Sequence, residues 1–174
     1  MIMNRIFLLL LTVSTSLFSQ ELEFNHANKK VYSVTKNDKR LNKIKVELWN
    51  AWRGYKKEYV GYEFTRALTV IYGEKWKKSS QIVFVCTDGY QPSIDTQKML
   101  KMIKEKNFMG VIAVNEADKK GFTTFKRGDK TIDPGPFYLV WTKFTKDQKA
   151  TYGDVLKWPY QLKTIFLTFD KINQ

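Results

Sequence analysis

Short apolar runs separated by turn residues constrain this chain more than any other feature of its sequence. The runs IVFVC (82–86), FMGVIAV (108–114) and FYLVW (137–141) have the length of buried strands and are too short for buried helices. Turn-forming residues flank them, as in DGY at 88–90 and in Pro134-Gly135-Pro136, where each proline fixes its own backbone. The spacing therefore predicts strands connected by tight turns and by one rigid corner.

Two further strands are predicted from the placement of apolar residues. Segment 43–49 has apolar residues at every second position, at Ile44, Val46 and Leu48, which is the period of a half-buried strand. Segment 158–169 is predicted to be the closing strand from its apolar residues Leu162, Ile165 and Leu167. The region between the last two strands, 142–157, is polar and is expected to be a loose connection.

Helical periodicity occurs in two places. After a predicted turn at Gly61, apolar residues fall on one face from Phe64 to Ile71, and Gly73 stands where a C-cap belongs. Segment 93–106 changes to the helical period, with Asp95 or Thr96 as its N-cap. We therefore expect a mixed α/β fold, mostly β, with two short helices.

Residues 1–19 have the layout of a secretory signal peptide. Arg5 supplies a positive charge, segment 6–13 is continuously apolar, and small and polar residues follow. The apolar stretch is shorter than the roughly 20 residues that span a bilayer. Export to the periplasm or the exterior is expected, with no stable membrane span after cleavage; a retained N-terminal anchor is the alternative.

The mature chain is predicted to be one domain, 44–174, preceded by a polar arm, 20–43. The arm is rich in lysine and poor in hydrophobic residues, which favours a loose arm or an edge segment. Cys86 is the only cysteine, so an intramolecular disulfide and the cysteine-based zinc, iron–sulfur and haem-attachment motifs are excluded. Stability must come from packing.

The chain is strongly basic, with 30 Lys and Arg against 17 Asp and Glu. Nucleic acid is a common partner of such a surface, but export and the scattered lysines argue against it. Two interpretations stay open: a solvated surface with no dedicated ligand, and a docking surface for an acidic protein.

Three motifs occur in a fixed order. The helix after Gly61 is followed by a strand that ends in Cys86-Thr87-Asp88-Gly89-Tyr90, by a Gly135-Pro136 step into the strand 137–140, and by Trp158 before the last strand. In this order they resemble the molybdopterin-binding domain of the sulfite oxidase family, and more particularly its compact secreted versions. The resemblance covers roughly residues 44–169 and implies a mixed α/β fold built around β-sheet structure.

The resemblance does not carry over the chemistry of the family. In its enzymes a cysteine thiolate binds molybdenum, and basic residues hold the pterin phosphate and the substrate anion. That cysteine lies in a segment well before the DGY turn, and the compact form lacks this segment. Cys86 does not match the position of the ligand cysteine. We therefore expect no catalytic residue, no metal-binding residue and no cofactor. Molybdopterin is the one cofactor that the resemblance suggests, but the chain lacks the cysteine that would bind its molybdenum.

Six residues beside the motifs are candidates for contact with a ligand or partner: Asp88, Tyr90, Asp133, Tyr138, Trp158 and Tyr160. The mouth of such a site should lie where the DGY corner approaches the Pro-Gly-Pro corner and Trp158-Pro159-Tyr160. The competing interpretation is structural, because aspartates in turns usually cap nearby backbone groups and aromatic residues usually pack.

Two other residue types that often carry chemistry are predicted to be structural. Cys86 follows four apolar residues, which favours a buried, inert thiol. His26, the only histidine, lies in the polar arm. No cysteine or carboxylate stands at the spacing that a zinc site needs, and a nucleophilic triad would need a histidine inside the fold.

Two functions are consistent with this sequence. The first is an exported, non-catalytic binding or accessory module with a sulfite-oxidase-like fold. Its partner would be an acidic protein such as a c-type cytochrome, because related domains occur beside such cytochromes in electron-transfer assemblies. The second is a molybdopterin-dependent oxidoreductase subunit that a partner chain completes.

We expect the mature N-terminus to lie between Leu17 and Glu21, with Gln20 favoured, because the apolar segment ends in the small residues that signal peptidases accept. Intact-mass analysis of protein from the exported fraction measures this position. A mass that retains Met1 would contradict the prediction.

Overall fold

The computed structural model describes residues 21–27, 29–115, 122–145 and 147–170, so the predicted signal peptide lies outside it. The described strands are β1 (Leu22–His26), β2 (Lys29–Val34), β3 (Lys43–Asn50), β4 (Tyr55–Glu63), β5 (Gln81–Cys86), β6 (Ser93–Asp95), β7 (Gly110–Val114), β8 (Phe125–Arg127), β9 (Lys130–Ile132), β10 (Phe137–Trp141) and β11 (Leu162–Thr168). They form two main sheets and one separate hairpin.

The first sheet has five strands in the order β2-β1-β11-β5-β6. β1 runs parallel to β11, and the other neighbours are antiparallel. The second sheet has four antiparallel strands in the order β10-β7-β4-β3. Every residue of β7 and β10 is buried, as their continuous apolar sequences predict.

The helices confirm the caps that the sequence indicates. α1 (Phe64–Tyr72) ends at Gly73, whose N–H donates to the Thr69 carbonyl. α2 (Thr96–Lys106) begins at Asp95, whose Oδ1 accepts from the Lys98 N–H at 2.8 Å. A 3₁₀ helix at Gly73–Lys78 continues α1, and a short α3 (Gln148–Tyr152) interrupts the connection that the sequence predicts to be loose.

One helix joins the cores of the two sheets. Phe64, at the start of α1, packs against Phe84 of β5 with ring centroids 5.8 Å apart and against Trp141 of β10 at 6.1 Å. At the other end of α1, the Tyr72 hydroxyl donates to the carbonyls of Asn25 and Ile165 in the first sheet. The two sheets therefore share one hydrophobic core.

The mixed, mostly β class is confirmed, and two local interpretations need correction. Segment 20–43, predicted to be a loose arm or an edge segment, contains β1 and β2. β2 is an edge strand, but β1 lies inside the sheet with Leu22 and Phe24 fully buried. Val34 and Leu41 of the same segment are also buried, but the apolar residues are few and stand among lysines, so the strand pattern is weak in the sequence.

Gly61 is the second correction, because it lies within β4 and not in a turn. Its neighbours across the sheet are Ile44 of β3 and Ala113 of β7. A Cβ atom at Gly61 would lie 2.1 Å from the Ile112 carbonyl oxygen, so only glycine lets the two backbones approach this closely.

In the described segments, no helix combines the length and the apolar composition that crossing a membrane requires.

We predict that Gly61→Ala lowers the free energy of unfolding by about 3 kcal/mol, the upper end of the usual cost of overpacking, because the new methyl group meets backbone that cannot rotate away. Urea denaturation measures the loss. Gly128→Asn is the control: Gly128 has a φ of 59°, a Cβ atom there would meet no other atom within 4 Å, and asparagine tolerates that conformation, so a change below about 1 kcal/mol is expected. Equal urea midpoints for Gly61→Ala and Gly128→Asn would contradict the close approach of the β4 and β7 backbones at Gly61.

Candidate functional site

A cleft of about 900 Å³ lies at one end of the fold. Four parts of the chain line it: the β3–β4 turn, the corner after β5, the β8–β9 hairpin and the segment 147–160. Small-molecule sites usually measure roughly 300–1,000 Å³. The cleft is therefore large enough for a sizeable ligand or for several side chains of a partner.

A single glutamine links the corners around this cleft. The Gln161 carbonyl accepts from the Thr87 N–H at 2.9 Å, and the Gln161 N–H donates to the Pro134 carbonyl at 3.0 Å. Its Nε2 also donates to the Asp133 carbonyl at 2.6 Å. The DGY corner, the Pro-Gly-Pro corner and the Trp158-Pro159-Tyr160 segment thus converge, as the sequence motifs predict, but no residue of the Pro-Gly-Pro corner lines the cleft itself.

Asn50 organises the turn that carries Trp52 and Arg53 into the cleft. Its Oδ1 accepts from the backbone N–H groups of both residues at 3.1 Å, and its Nδ2 donates to the Tyr59 hydroxyl at 2.7 Å. Asn50 is fully buried, so these bonds satisfy a side chain that burial would otherwise penalise. The turn is consequently held from inside the core.

The guanidinium of Arg53 lies over an aromatic ring. Its Cζ is 3.1 Å from the ring centroid of Phe125 in β8 and 5.8 Å from that of Tyr160. Among the described residues no carboxylate lies within ion-pair distance of Arg53. Stacking engages the face of the guanidinium and leaves its N–H edge available for an oxyanion.

Further charged residues surround Arg53. Lys126 and Arg127 come from the hairpin, and Lys157 comes from the segment before β11. Asp147 and Asp154 also line the cleft, but Asp154 is engaged by Lys157, with Nζ and Oδ1 3.1 Å apart. Positive charge therefore exceeds negative charge in the lining, which favours an anionic ligand.

Aromatic side chains form the walls and the layer behind them. Trp158 packs against Trp52 at 6.4 Å, against Tyr138 at 6.3 Å and against Phe144 at 5.4 Å between ring centroids. Trp158 is almost fully buried, and its Nε1 has no hydrogen-bond partner among the described residues. Burial raises the pKa of Tyr138 to about 12, so this hydroxyl stays protonated at neutral pH.

The structure separates the six candidate residues into three groups. Tyr90, Trp158 and Tyr160 line the cleft, and Tyr90 is about half exposed at 51%. Tyr138 is buried behind the wall.

Asp88 and Asp133 behave as turn residues. Asp88 Oδ1 accepts from the Tyr90 N–H at 3.0 Å, and Asp133 Oδ1 accepts from the Gly135 N–H at 2.8 Å. Each aspartate thus caps the backbone two residues ahead, in agreement with the structural interpretation.

Sequence reasoning missed the charged half of the lining. Arg53, Lys126 and Arg127 come from two hairpins that are far apart in the sequence. A local signal exists, since WRG at 52–54 and KRG at 126–128 each place basic residues before a glycine with positive φ. The β8–β9 hairpin is not part of the sheet that contains β3 and β4, so the convergence depends on tertiary packing and could not be derived from either segment alone.

The residues present do not fit a molybdenum ligand set. Cys86 is 3% exposed, lies outside the lining, and has its pKa raised to about 12 by burial, with the Asp88 carboxylate adding to the shift. A thiol in that state does not offer the thiolate that a metal requires. The basic lining residues could hold a phosphate, but none of them is a metal ligand. In the described segments no three His, Cys, Asp or Glu side chains gather into a metal-binding group.

His26 lies in β1, away from the cleft lining. Its ring meets Phe169 edge-on with centroids 5.7 Å apart, and its buried Nδ1 has no hydrogen-bond partner among the described residues. This position gives the histidine a packing role.

Comparison of the chain with models of protein families and with curated proteins finds no match.

We predict that Cys86 contributes packing only. Cys86→Ser should lower the free energy of unfolding by roughly 1–3 kcal/mol, because it places a hydroxyl in an apolar site, and Cys86→Ala should be milder. The native thiol should react with a thiol probe at pH 8 only after denaturant is added, because burial excludes the probe and raises the pKa of the thiol to about 12. Rapid labelling of the folded protein would show instead that the thiol is accessible.

Proposed function

We propose that this protein is an exported, non-catalytic binding module with a sulfite-oxidase-like fold, and that its cleft holds an acidic segment of a partner protein. A c-type cytochrome of a periplasmic electron-transfer assembly is the kind of partner that fits. The observation that carries this proposal is the Arg53 guanidinium, stacked on Phe125 without an ion-pair partner among the described residues.

The stacked arginine is prepared for binding before a ligand arrives. Phe125 holds the plane of the guanidinium, and the Asn50 bonds hold its backbone. Less conformational entropy is then lost when a carboxylate binds, since the side chain is already ordered. A carboxylate can accept two N–H bonds from the free edge of the guanidinium.

The size and the composition of the cleft favour a protein segment over a single small anion. The aromatic residues Trp52, Tyr90 and Tyr160 offer apolar contact around the cations. Aromatic residues and arginine are the side chains that contribute most to binding energy at protein interfaces. The large excess of basic over acidic residues also attracts an acidic protein over a distance and raises its rate of association.

Three groups in or near the cleft are poorly suited to acid–base catalysis. Asp154 is paired with Lys157, and the Cys86 thiol is outside the cleft and protonated. Tyr138, whose pKa is raised to about 12, is likewise a poor proton donor or acceptor at neutral pH.

A molybdopterin-dependent oxidoreductase subunit, completed by a partner chain, is the second candidate. The observation that favours it is the convergence at Gln161 of the corners that carry the family-like motifs. Elemental and pterin analysis of protein purified from the exported fraction distinguishes the two candidates. If the protein is a binding module, no stoichiometric molybdenum or pterin is expected. Stoichiometric amounts of either would favour the oxidoreductase subunit in its place.

Arg53→Gln tests the binding proposal. With an acidic c-type cytochrome as the probe, the substitution should cost about 1.5–3 kcal/mol of binding free energy, which is the usual value of a hydrogen bond to a charged group. Titration followed by tryptophan fluorescence reports the loss, because Trp52 and Trp158 line the cleft.

Arg66→Gln is the matched control. Arg66 is an exposed arginine of α1 outside the cleft, so its loss removes the same charge without touching the lining. If both substitutions weaken binding of the cytochrome equally, only the overall charge of the protein matters. That result would contradict the proposal that the cleft is the binding site.

A further inference from the structure

A second basic surface lies on the 3₁₀ helix and α2, and it differs in composition from the cleft. These two helices contain seven lysines, two glutamates and no arginine. All seven lysines are exposed. We call them the lysine face: Lys75, Lys77, Lys78, Lys98, Lys101, Lys104 and Lys106.

Hydrogen bonds hold the two helices of the lysine face together. The Gln97 side chain donates to the Lys77 carbonyl at 2.6 Å, and the Thr96 N–H donates to the Ser80 carbonyl at 3.1 Å. The hydroxyls of Ser79 and Thr96 are 2.9 Å apart in a buried contact. The lysines of the 3₁₀ helix therefore stay beside the first turn of α2.

Most of the positive charge on this face is not neutralised within the described residues. Lys77 pairs with Glu74 at 2.6 Å, and Lys101 approaches Glu105 at 4.0 Å. The other five lysines have no carboxylate within ion-pair distance in the described segments.

Along α2 the charges form a row. Lys98, Lys101 and Lys104 follow one another at intervals of three residues, so they lie along one side of the helix over about 9 Å. Met99 and Ile103 lie on the side of α2 opposite this row; Met99 is fully buried and Ile103 is half-buried. The result is an exposed basic row on a helix whose opposite side is anchored in the core.

We infer that the lysine face is a docking surface for an anionic phospholipid bilayer. A lysine ammonium is a hydrated point charge on a flexible stem and does not impose the paired geometry of an arginine. A row of such charges suits a surface with many mobile headgroups better than a single shaped partner site. Basic clusters next to a membrane gain binding energy from each lysine that reaches the anionic headgroups.

This surface is separate from the cleft, and the inference does not depend on the proposed function. None of the seven lysines lines the cleft. Lipid binding through the lysine face and partner binding through Arg53 can therefore be tested independently.

Vesicle sedimentation tests the inference with the intact protein. Wild-type protein should sediment with vesicles of phosphatidylcholine that contain phosphatidylglycerol, and it should remain in solution with pure phosphatidylcholine. Binding should disappear when salt is raised from about 0.05 to about 0.5 M, because screening shortens the reach of the charges. Absence of sedimentation with the anionic vesicles at low salt would overturn the inference.

Three variants separate the lysine face from overall charge. Lys98→Gln, Lys101→Gln and Lys104→Gln combined should weaken partitioning at least about tenfold, and glutamine keeps the helix propensity of lysine. The same three positions changed to arginine should retain binding, because the charge is kept. Lys29→Gln, Lys39→Gln and Lys163→Gln combined form the control; these exposed lysines lie outside the face, and a change below about threefold is expected.

A comparable loss in the control triple variant would overturn the assignment to this face, provided that thermal melts show all variants folded. Soluble polymers test the nature of the partner. Polyglutamate and polygalacturonate are compared with the vesicles at equal anionic charge. The lipid assignment would be overturned if a polymer binds more tightly than the vesicles and this binding is lost in the same glutamine variant.

Discussion

The packing of Phe64 against Trp141 is the contact on which the rest of this structure depends. Phe64 brings α1 against the second sheet, and the same ring meets Phe84 of the first sheet. Gly110 makes room for the contact, since a Cβ atom there would lie 3.1 Å from the Phe64 Cβ and 3.0 Å from the Trp141 ring. Fully buried aromatic rings of this size contribute a large share of the apolar area that stabilises a single core.

The same tryptophan connects the core to the cleft. Its ring faces Phe64, and its Nε1 donates to the Lys157 carbonyl at 2.9 Å. Lys157 and Trp158 are thereby fixed at the end of the sheet, where Trp158 packs against Trp52 of the β3–β4 turn. Asn50 fixes that turn from the other side. The walls of the cleft are consequently held by buried contacts, which is the condition for binding with little loss of conformational entropy.

Positive charge is arranged in two different ways in this protein. In the cleft, Arg53 is stacked on an aromatic ring and is accompanied by aromatic walls, an arrangement with directional hydrogen-bond donors. On α2 and the 3₁₀ helix the charges are exposed lysines, and among the described residues their one cation–aromatic contact joins Lys77 to the buried Trp76. The first arrangement suits a shaped ligand, and the second suits a surface, because directional donors select geometry whereas point charges respond to charge density.

The sequence by itself determined the elements whose signals are local. The apolar runs predict β5, β7 and β10. β7 and β10 are buried on both faces, which requires continuous hydrophobic residues, whereas burial in β5 alternates between fully buried and partly exposed residues. Asp95 and Gly73 mark helix ends, because capping depends on residues within one turn. The positive φ of Gly89 and the caps made by Asp88 and Asp133 follow from turn chemistry within a few residues.

Only the tertiary structure decided which of these elements meet. β1 became an interior strand because β11, about 140 residues later, pairs with it in parallel and covers Leu22 and Phe24 with the core. Gly61 became a point of close backbone approach because β7 lies beside it. Arg53 became a candidate binding residue because Phe125 of a distant hairpin lies under its guanidinium. Pairings between distant segments depend on the whole topology, and no local propensity encodes them.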